Sequence, residues 1–153
     1  MTKLQKWALF GLRVTFGLYF LYNGIVKLID PAWSAVGFLG KATTLSTFFS
    51  YLADPVMLPI VNFLVVWGFI LIGLSLVVGV LVRVSAPMGA LMMLLFYLPS
   101  FTAPYVSVDN FFIDNHIIYI FALLTLAAFD AGKVFGLAKP LKRFIYRKSS
   151  SKN

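Results

Sequence analysis

The side chains able to do chemistry are few, and most lie inside apolar runs. His116 is the one histidine, cysteine is absent, and all five acids are aspartates, at 30, 54, 109, 114 and 130. Without cysteine there is no disulfide, no thiol relay and no cysteine-ligated zinc or iron–sulfur centre. A single histidine leaves no multi-histidine site, so no metal is expected. The lack of glutamate excludes glutamate-pair glycosidase chemistry and Glu-x-x-His di-iron bundles. No Ser–His–Asp set and no phosphate-loop glycine pattern can be assembled. What remains is a group of polar residues suited to hydrogen bonding or proton relay: Asn23, Lys27, Asn62, Tyr97, Asn115, His116 and Tyr119. Arg13 and Asp130 complete the set, as a candidate ion pair.

The elements that must position these residues follow from composition. The chain has 153 residues, of which 61% are hydrophobic and 12% charged, and its mean hydropathy is +0.93. Soluble domains are about 45–50% apolar and about 25% charged. The composition therefore predicts an integral membrane protein, and it excludes intrinsic disorder. Four apolar runs are read as membrane helices, over about 7–29, 57–82, 84–100 and 113–131. Pro87 falls in the expected first turn of the third helix, and Pro99 and Pro104 close it. The uninterrupted apolar part of the fourth run, 117–129, is roughly 20 Å long at 1.5 Å per residue, against a hydrocarbon core of ~30 Å. Spanning would thus bring either Asp114, Asn115 and His116 or Asp130 to membrane depth. The expected fold is all-α, a four-transmembrane-helix bundle.

Charge placement orients it. Net charge is +8, but the bases gather outside the apolar runs, which suits membrane topology and anionic lipid rather than nucleic acid. Lys27 and Lys41 fall on one side of the bundle and the other Lys and Arg residues on the opposite side. The positive-inside rule then places both termini in the cytoplasm of a multi-pass cell-membrane protein. The segment 139–153 reads as a basic cytoplasmic tail. Between the first two helices, Leu45, Phe48, Phe49 and Leu52 share one helical face. This predicts a short interfacial helix on the outer surface, with Trp33, Val36 and Phe38 as a second apolar patch; a loop packed over the mouth of the bundle is the other reading. Trp7, Trp33, Tyr51 and Tyr105 read as interface anchors, and Trp67 as core.

Helical periodicity sets the faces. In the first helix Arg13, Phe16, Gly17, Tyr19, Phe20, Asn23, Gly24 and Lys27 fall within a sector of about 160°, opposite an aliphatic sector. In the fourth, Phe112, Asn115, His116, Tyr119, Leu123, Leu126 and Asp130 share one face, and a regular helix would turn Asp114 away from it. Asp114 suits a helix cap. By depth, Asn23, Lys27, Asn62, Tyr97, Asn115, His116 and Tyr119 gather in the outer half, and Arg13 and Asp130 meet near the inner surface. Such an outer pocket could hold a quinone head group, with His116, Tyr119 or Lys27 donating to a carbonyl oxygen. The same residue types also glue helices by hydrogen bonds of about 1 kcal/mol, and Lys27 near a helix end can snorkel.

These motifs have a family likeness. Leu12-Arg13-Val14, then Gly17 through Asn23-Gly24, with Lys27-Leu28 and Asp30-Pro31, resemble the opening helix of the DoxX family. Asp114-Asn115-His116-Ile117-Ile118-Tyr119, with Asp130-Ala131-Gly132-Lys133 and Gly136-Leu137, resemble its last helix. The likeness spans about 9–137. It implies a four-helix membrane bundle and a place as subunit or anchor of a quinone-linked redox complex, of the thiosulfate or oxidative-stress type. The chain would then have no intrinsic cofactor beyond a quinone, and the redox centre would sit on a partner protein. Wider relatives are cargo receptors or assembly factors, so a scaffold without a ligand is the alternative.

Overall fold

The structure is a computed structural model that describes residues 1–101 and 113–137. The basic tail 139–153, Tyr105, Pro104 and Phe112 lie outside the described residues. Within them the chain forms six α-helices, one 3-10 turn and no strand.

Helix α1 runs Lys3–Ile29. It begins before the apolar run because Thr2 and Gln5 form a reciprocal cap. The Gln5 N–H donates to Thr2 Oγ1 at 3.2 Å and the Thr2 N–H to Gln5 Oε1 at 2.7 Å, which satisfies two otherwise orphaned donors. Helices α4 (Leu58–Val78) and α5 (Val82–Ser100) make the expected tight hairpin. Gly79 ends α4 at φ +76°, a conformation that suits glycine. Ser75 Oγ bonds to the Val80 carbonyl and lies 2.7 Å from Ser85 Oγ, which pins the turn. Because α5 starts at Val82, Pro87 sits in its second turn, not its first.

Helix α6 is Asn115–Ala128, shorter than the expected 113–131. It starts where Asp114 caps it, and it stops because Asp130 takes a left-handed conformation, φ +49°, before a 3-10 turn at Ala131–Lys133. Helices α1, α4 and α5 are long and apolar enough to cross a membrane. α6 is apolar but only 14 residues long, roughly 21 Å.

Two antiparallel helix pairs build the bundle: α1 packs on α4, and α5 on α6. Glycine sets the first contact. A Cβ on Gly73 would lie 2.5 Å from the Leu21 backbone nitrogen, and one on Gly17 2.7 Å from that of Val77. The backbones meet with no side chain between them, the close approach that small residues allow in membranes. Phe16, Phe20, Phe69, Leu76, Met93, Leu123 and Leu126 fill the space between the pairs. The expected faces of α1 hold in the main, with Arg13, Phe16, Gly17, Phe20 and Gly24 buried and Leu18, Ile25, Leu28 and Ile29 exposed, but Tyr19 of the inward face is exposed and Leu21 of the outward face lies against Gly73. Trp67 departs from expectation. It is 40% exposed beside Phe63 on the outside of α4, not in the core.

The segment joining α1 to α4 carries two short helices, α2 (Val36–Leu39) and α3 (Ser46–Leu52). They close one end of the bundle, called here the cap end; the 79–81 turn marks the hairpin end. Ala35, Leu39 and Phe49 form a small core there, against Trp33, Phe38, Leu52, Val61 and Leu98. The four-residue face on α3 is only half used. Phe49 and Leu52 pack inward, whereas Phe48 is exposed and Leu45, left-handed at φ +53°, precedes the helix and is exposed. Thr44 Oγ1 donates to the Phe101 carbonyl at 2.6 Å, tying the cap to the end of α5. Elsewhere the bundle surface is apolar. Leu18, Ile60, Phe63, Leu64, Leu71 and Phe121 are all exposed, as suits helices that could face lipid.

Candidate functional site

The residues expected to form one outer pocket are all near the cap end, but they are divided among separate contacts. On α1, Asn23 Nδ2 donates back to the Tyr19 carbonyl at 2.9 Å. One turn on, Lys27 Nζ reaches the Asn23 carbonyl and Asn23 Oδ1, each at 3.4 Å. The same ammonium sits 4.8 Å from the Phe69 ring centre and 5.7 Å from that of Trp33. Aromatic faces attract a cation, so Lys27 is held between α1, α4 and the cap.

Asn62 works elsewhere. Its Oδ1 accepts from the Ala35 N–H at 2.9 Å, and its Nδ2 donates to Ser34 Oγ at 3.3 Å. Both ends of the amide thus fasten the cap to α4. Tyr119 packs its ring edge-on against Phe16 and Tyr19, with centres 5.3 Å apart in each case, joining α6 to α1. Asn115 is exposed.

A third group centres on the start of α6. Asp114 is in an extended conformation, so its carboxylate turns back over the helix instead of pointing away from the shared face. Its Oδ1 accepts from the N–H of His116 at 2.9 Å and of Ile117 at 3.3 Å, capping the helix. Its Oδ2 lies 2.6 Å from His116 Nδ1. A carboxylate accepts, so the ring hydrogen belongs on Nδ1, and Nε2 has no hydrogen-bond partner among the described residues. Tyr97, buried on α5 and stacked on Phe101, is within electrostatic reach of Asp114.

The chemistry this permits is limited. A quinone head group needs donors converging on its carbonyl oxygens. Lys27 is occupied by Asn23 and two rings, Asn62 by the cap, and Tyr119 lies in an aromatic contact. These three side chains do not converge on one point. A cavity of about 90 Å³ does lie under the cap, but its lining is apolar, chiefly Phe38, Leu39, Phe49, Met92, Leu95 and Phe96, and includes none of the seven.

At the hairpin end the expected Arg13–Asp130 ion pair does not form. Arg13 is 1% exposed. Its Nη1 donates to the carbonyls of Ala131 at 2.7 Å and Val134 at 3.0 Å, and its guanidinium lies 5.4 Å from the Phe10 ring centre. Glycine makes room for it. A Cβ on Gly79 would sit 2.6 Å from Arg13 Nη1, and one on Gly136 3.1 Å from it. Asp130 faces the other way, with Oδ1 on Arg83 Nε at 2.8 Å and Oδ2 on Lys133 Nζ at 2.7 Å. The left-handed turn at Asp130 causes this exchange. It aims the following carbonyls at Arg13 and the carboxylate toward α5. Ser34, Ser75 and Ser85 are polar contacts that charge and periodicity did not single out.

No protein-family model matches the chain, and no curated protein or solved structure matches it. The fold and site therefore define the class alone: an all-helical bundle with three helices able to cross a membrane.

Proposed function

We propose that the chain is a multi-pass membrane anchor that works through a partner protein instead of through chemistry of its own. The observation that carries this reading is the use made of the polar residues. Asn62 and Arg13 join separate parts of the fold by hydrogen bonds, as polar glue between membrane helices does, and Lys27 and Tyr119 join them through aromatic rings. The redox character of the complex, with the reactive centre on the partner, rests on the resemblance to DoxX proteins. In this reading α6 is the fourth span, carried to full depth by Asp114 at one end and the 131–137 turn at the other. The cap lies at the outer interface, with Phe48 and Tyr51 toward lipid, and both termini are cytoplasmic by the charge rule.

A second reading is a quinone held by His116 alone. It is favoured by the Asp114 contact, which fixes the imidazole while leaving its side chain 32% exposed. One experiment separates the two: native mass spectrometry of the protein extracted from its own membranes in mild detergent. The anchor reading expects a stoichiometric protein partner that the His116→Ala variant retains. A chain without a protein partner, carrying a quinone that His116→Ala loses, would refute it.

A further inference from the structure

The exposed bases at the hairpin end form more than a diffuse positive edge. Between the 79–81 turn, the start of α5 and the 3-10 turn lies a groove of about 200 Å³, lined by Gly79, Leu81, Arg83, Val84, Asp130 and Lys133. Asp130 accepts from Arg83 through Nε and from Lys133 through one ammonium hydrogen. This fixes both cations beside the groove and spends little of their donor capacity. A guanidinium bonded through Nε keeps both terminal amino groups, and an ammonium keeps two hydrogens. The two side chains remain 72% and 65% exposed, against 22% for Asp130. No side chain caps α5 at Leu81, so its positive helix end adds to the field. Two cations against one carboxylate leave the groove net positive.

An apolar track leaves the groove. Val84, Met88, Leu91 and Leu95 recur at helical spacing along α5, and all four are exposed. From the first to the last the rise is roughly 16 Å, about half of a ~30 Å hydrocarbon core and so the depth of one leaflet. A charged groove at the membrane edge, continuous with an apolar stripe of that length, matches a molecule with an anionic head and an acyl chain.

We propose that this groove is a binding site for one anionic phospholipid, its phosphate between Arg83 and Lys133 and one acyl chain along α5. The proposal rests on the membrane reading above, with the hairpin end at the cytoplasmic leaflet.

The test uses the full chain in nanodiscs of phosphatidylethanolamine with a minor share of phosphatidylglycerol, read by native mass spectrometry. The expected result is one phosphatidylglycerol retained per chain in preference to phosphatidylethanolamine. R83Q/K133Q should weaken that retention roughly thirty-fold, at about tenfold per 1.4 kcal/mol and about 1 kcal/mol per base. K3Q, which removes an exposed base outside the groove, should retain it. If the double variant does not fold, K133Q alone should lose about five-fold. Equal retention of the two lipids, or equal loss in K3Q and the groove variants, would overturn the site. Complete displacement by inorganic phosphate would show a simple anion site and overturn the lipid assignment. Resistance of the chain to extraction from membranes by alkaline carbonate is scored separately; release there would fault the membrane reading itself.

Discussion

Replacing Gly73 by alanine should separate the two halves of the bundle's tightest contact. The new methyl would meet Leu21 N at 2.5 Å, Leu21 Cα at 2.8 Å and the Gly17 carbonyl oxygen at 2.9 Å. All three are backbone atoms of α1, so no rotamer change relieves the clash. Ordinary contact begins near 3.4 Å, so the helices must part by roughly 0.9 Å at this point. That retreat also loosens Gly24 against Ile70, where a Cβ would lie 2.9 Å from the backbone nitrogen. Overpacking of this kind costs about 1–3 kcal/mol, and a clash of backbone with backbone belongs at the upper end. The matched control is Gly11→Ala, where nothing lies within 4 Å of the new atom. There the gain in helix propensity, about 0.5–1 kcal/mol, should leave the protein as stable or more so. Unfolding of both variants in mixed micelles with rising dodecyl sulfate gives the comparison. Gly73→Ala as stable as Gly11→Ala would refute the glycine-built contact.

Three further outcomes are expected. Arg13→Lys keeps the charge but ends one bond short of the place from which Nη1 donates to both carbonyls, so it should cost about 1.5–3 kcal/mol and expose the 131–137 turn to proteolysis, read by trypsin cleavage after Lys133. The Lys133 hydrogen bond, and then the charge of Arg83, hold the Asp130 carboxyl below its usual range. A depressed acid stabilises the fold above its unfolded value, so the α5–α6 tie should persist at neutral pH and weaken as pH falls through the folded value. Acid titration of Asp130→Asn should lack that step. Asp114→Asn keeps an acceptor for the cap but weakens the contact with His116, so it should change stability by less than the ~1 kcal/mol of a lost cap, whereas Asp114→Ala should lose the full amount, both measured by thermal unfolding in detergent.

The helices were legible because apolar periodicity is a local property. The inward face of α1, the capping role of Asp114 and the hairpin at Arg83 all follow from neighbours within a turn or two. The grouping of the polar residues did not. A shared face and a shared depth place Lys27, Asn62 and Tyr119 near one another, but their contacts depend on which ring or loop arrives between them. Phe69, Trp33 and the Ser34–Ala35 turn fill those places. The partner of Arg13 was illegible for another reason. Counting charges offers Asp130, whereas the actual acceptors are carbonyls, present in every residue and aimed only once the chain turns left-handed at Asp130. Gly132 and Gly136 are close-approach positions, which spacing alone does not reveal. A Cβ on Gly132 would lie 3.1 Å, and one on Gly136 2.8 Å, from the Gly79 carbonyl oxygen.

The clasp at Arg13 also bears on the order in which the protein is made. Its nearest acceptor is 118 positions later in the chain, so the first helix is synthesised long before the carbonyls that will receive its guanidinium. In a membrane, an arginine costs about 2.5–3.5 kcal/mol at the centre of a helix and less toward an end, the side on which Arg13 lies. Until Ala131 and Val134 emerge, α1 must keep that group near the headgroups or against another protein. The clasp therefore closes only once the 131–137 turn has been made, and a nascent chain that stops short of it leaves the Arg13 guanidinium without its two carbonyl acceptors.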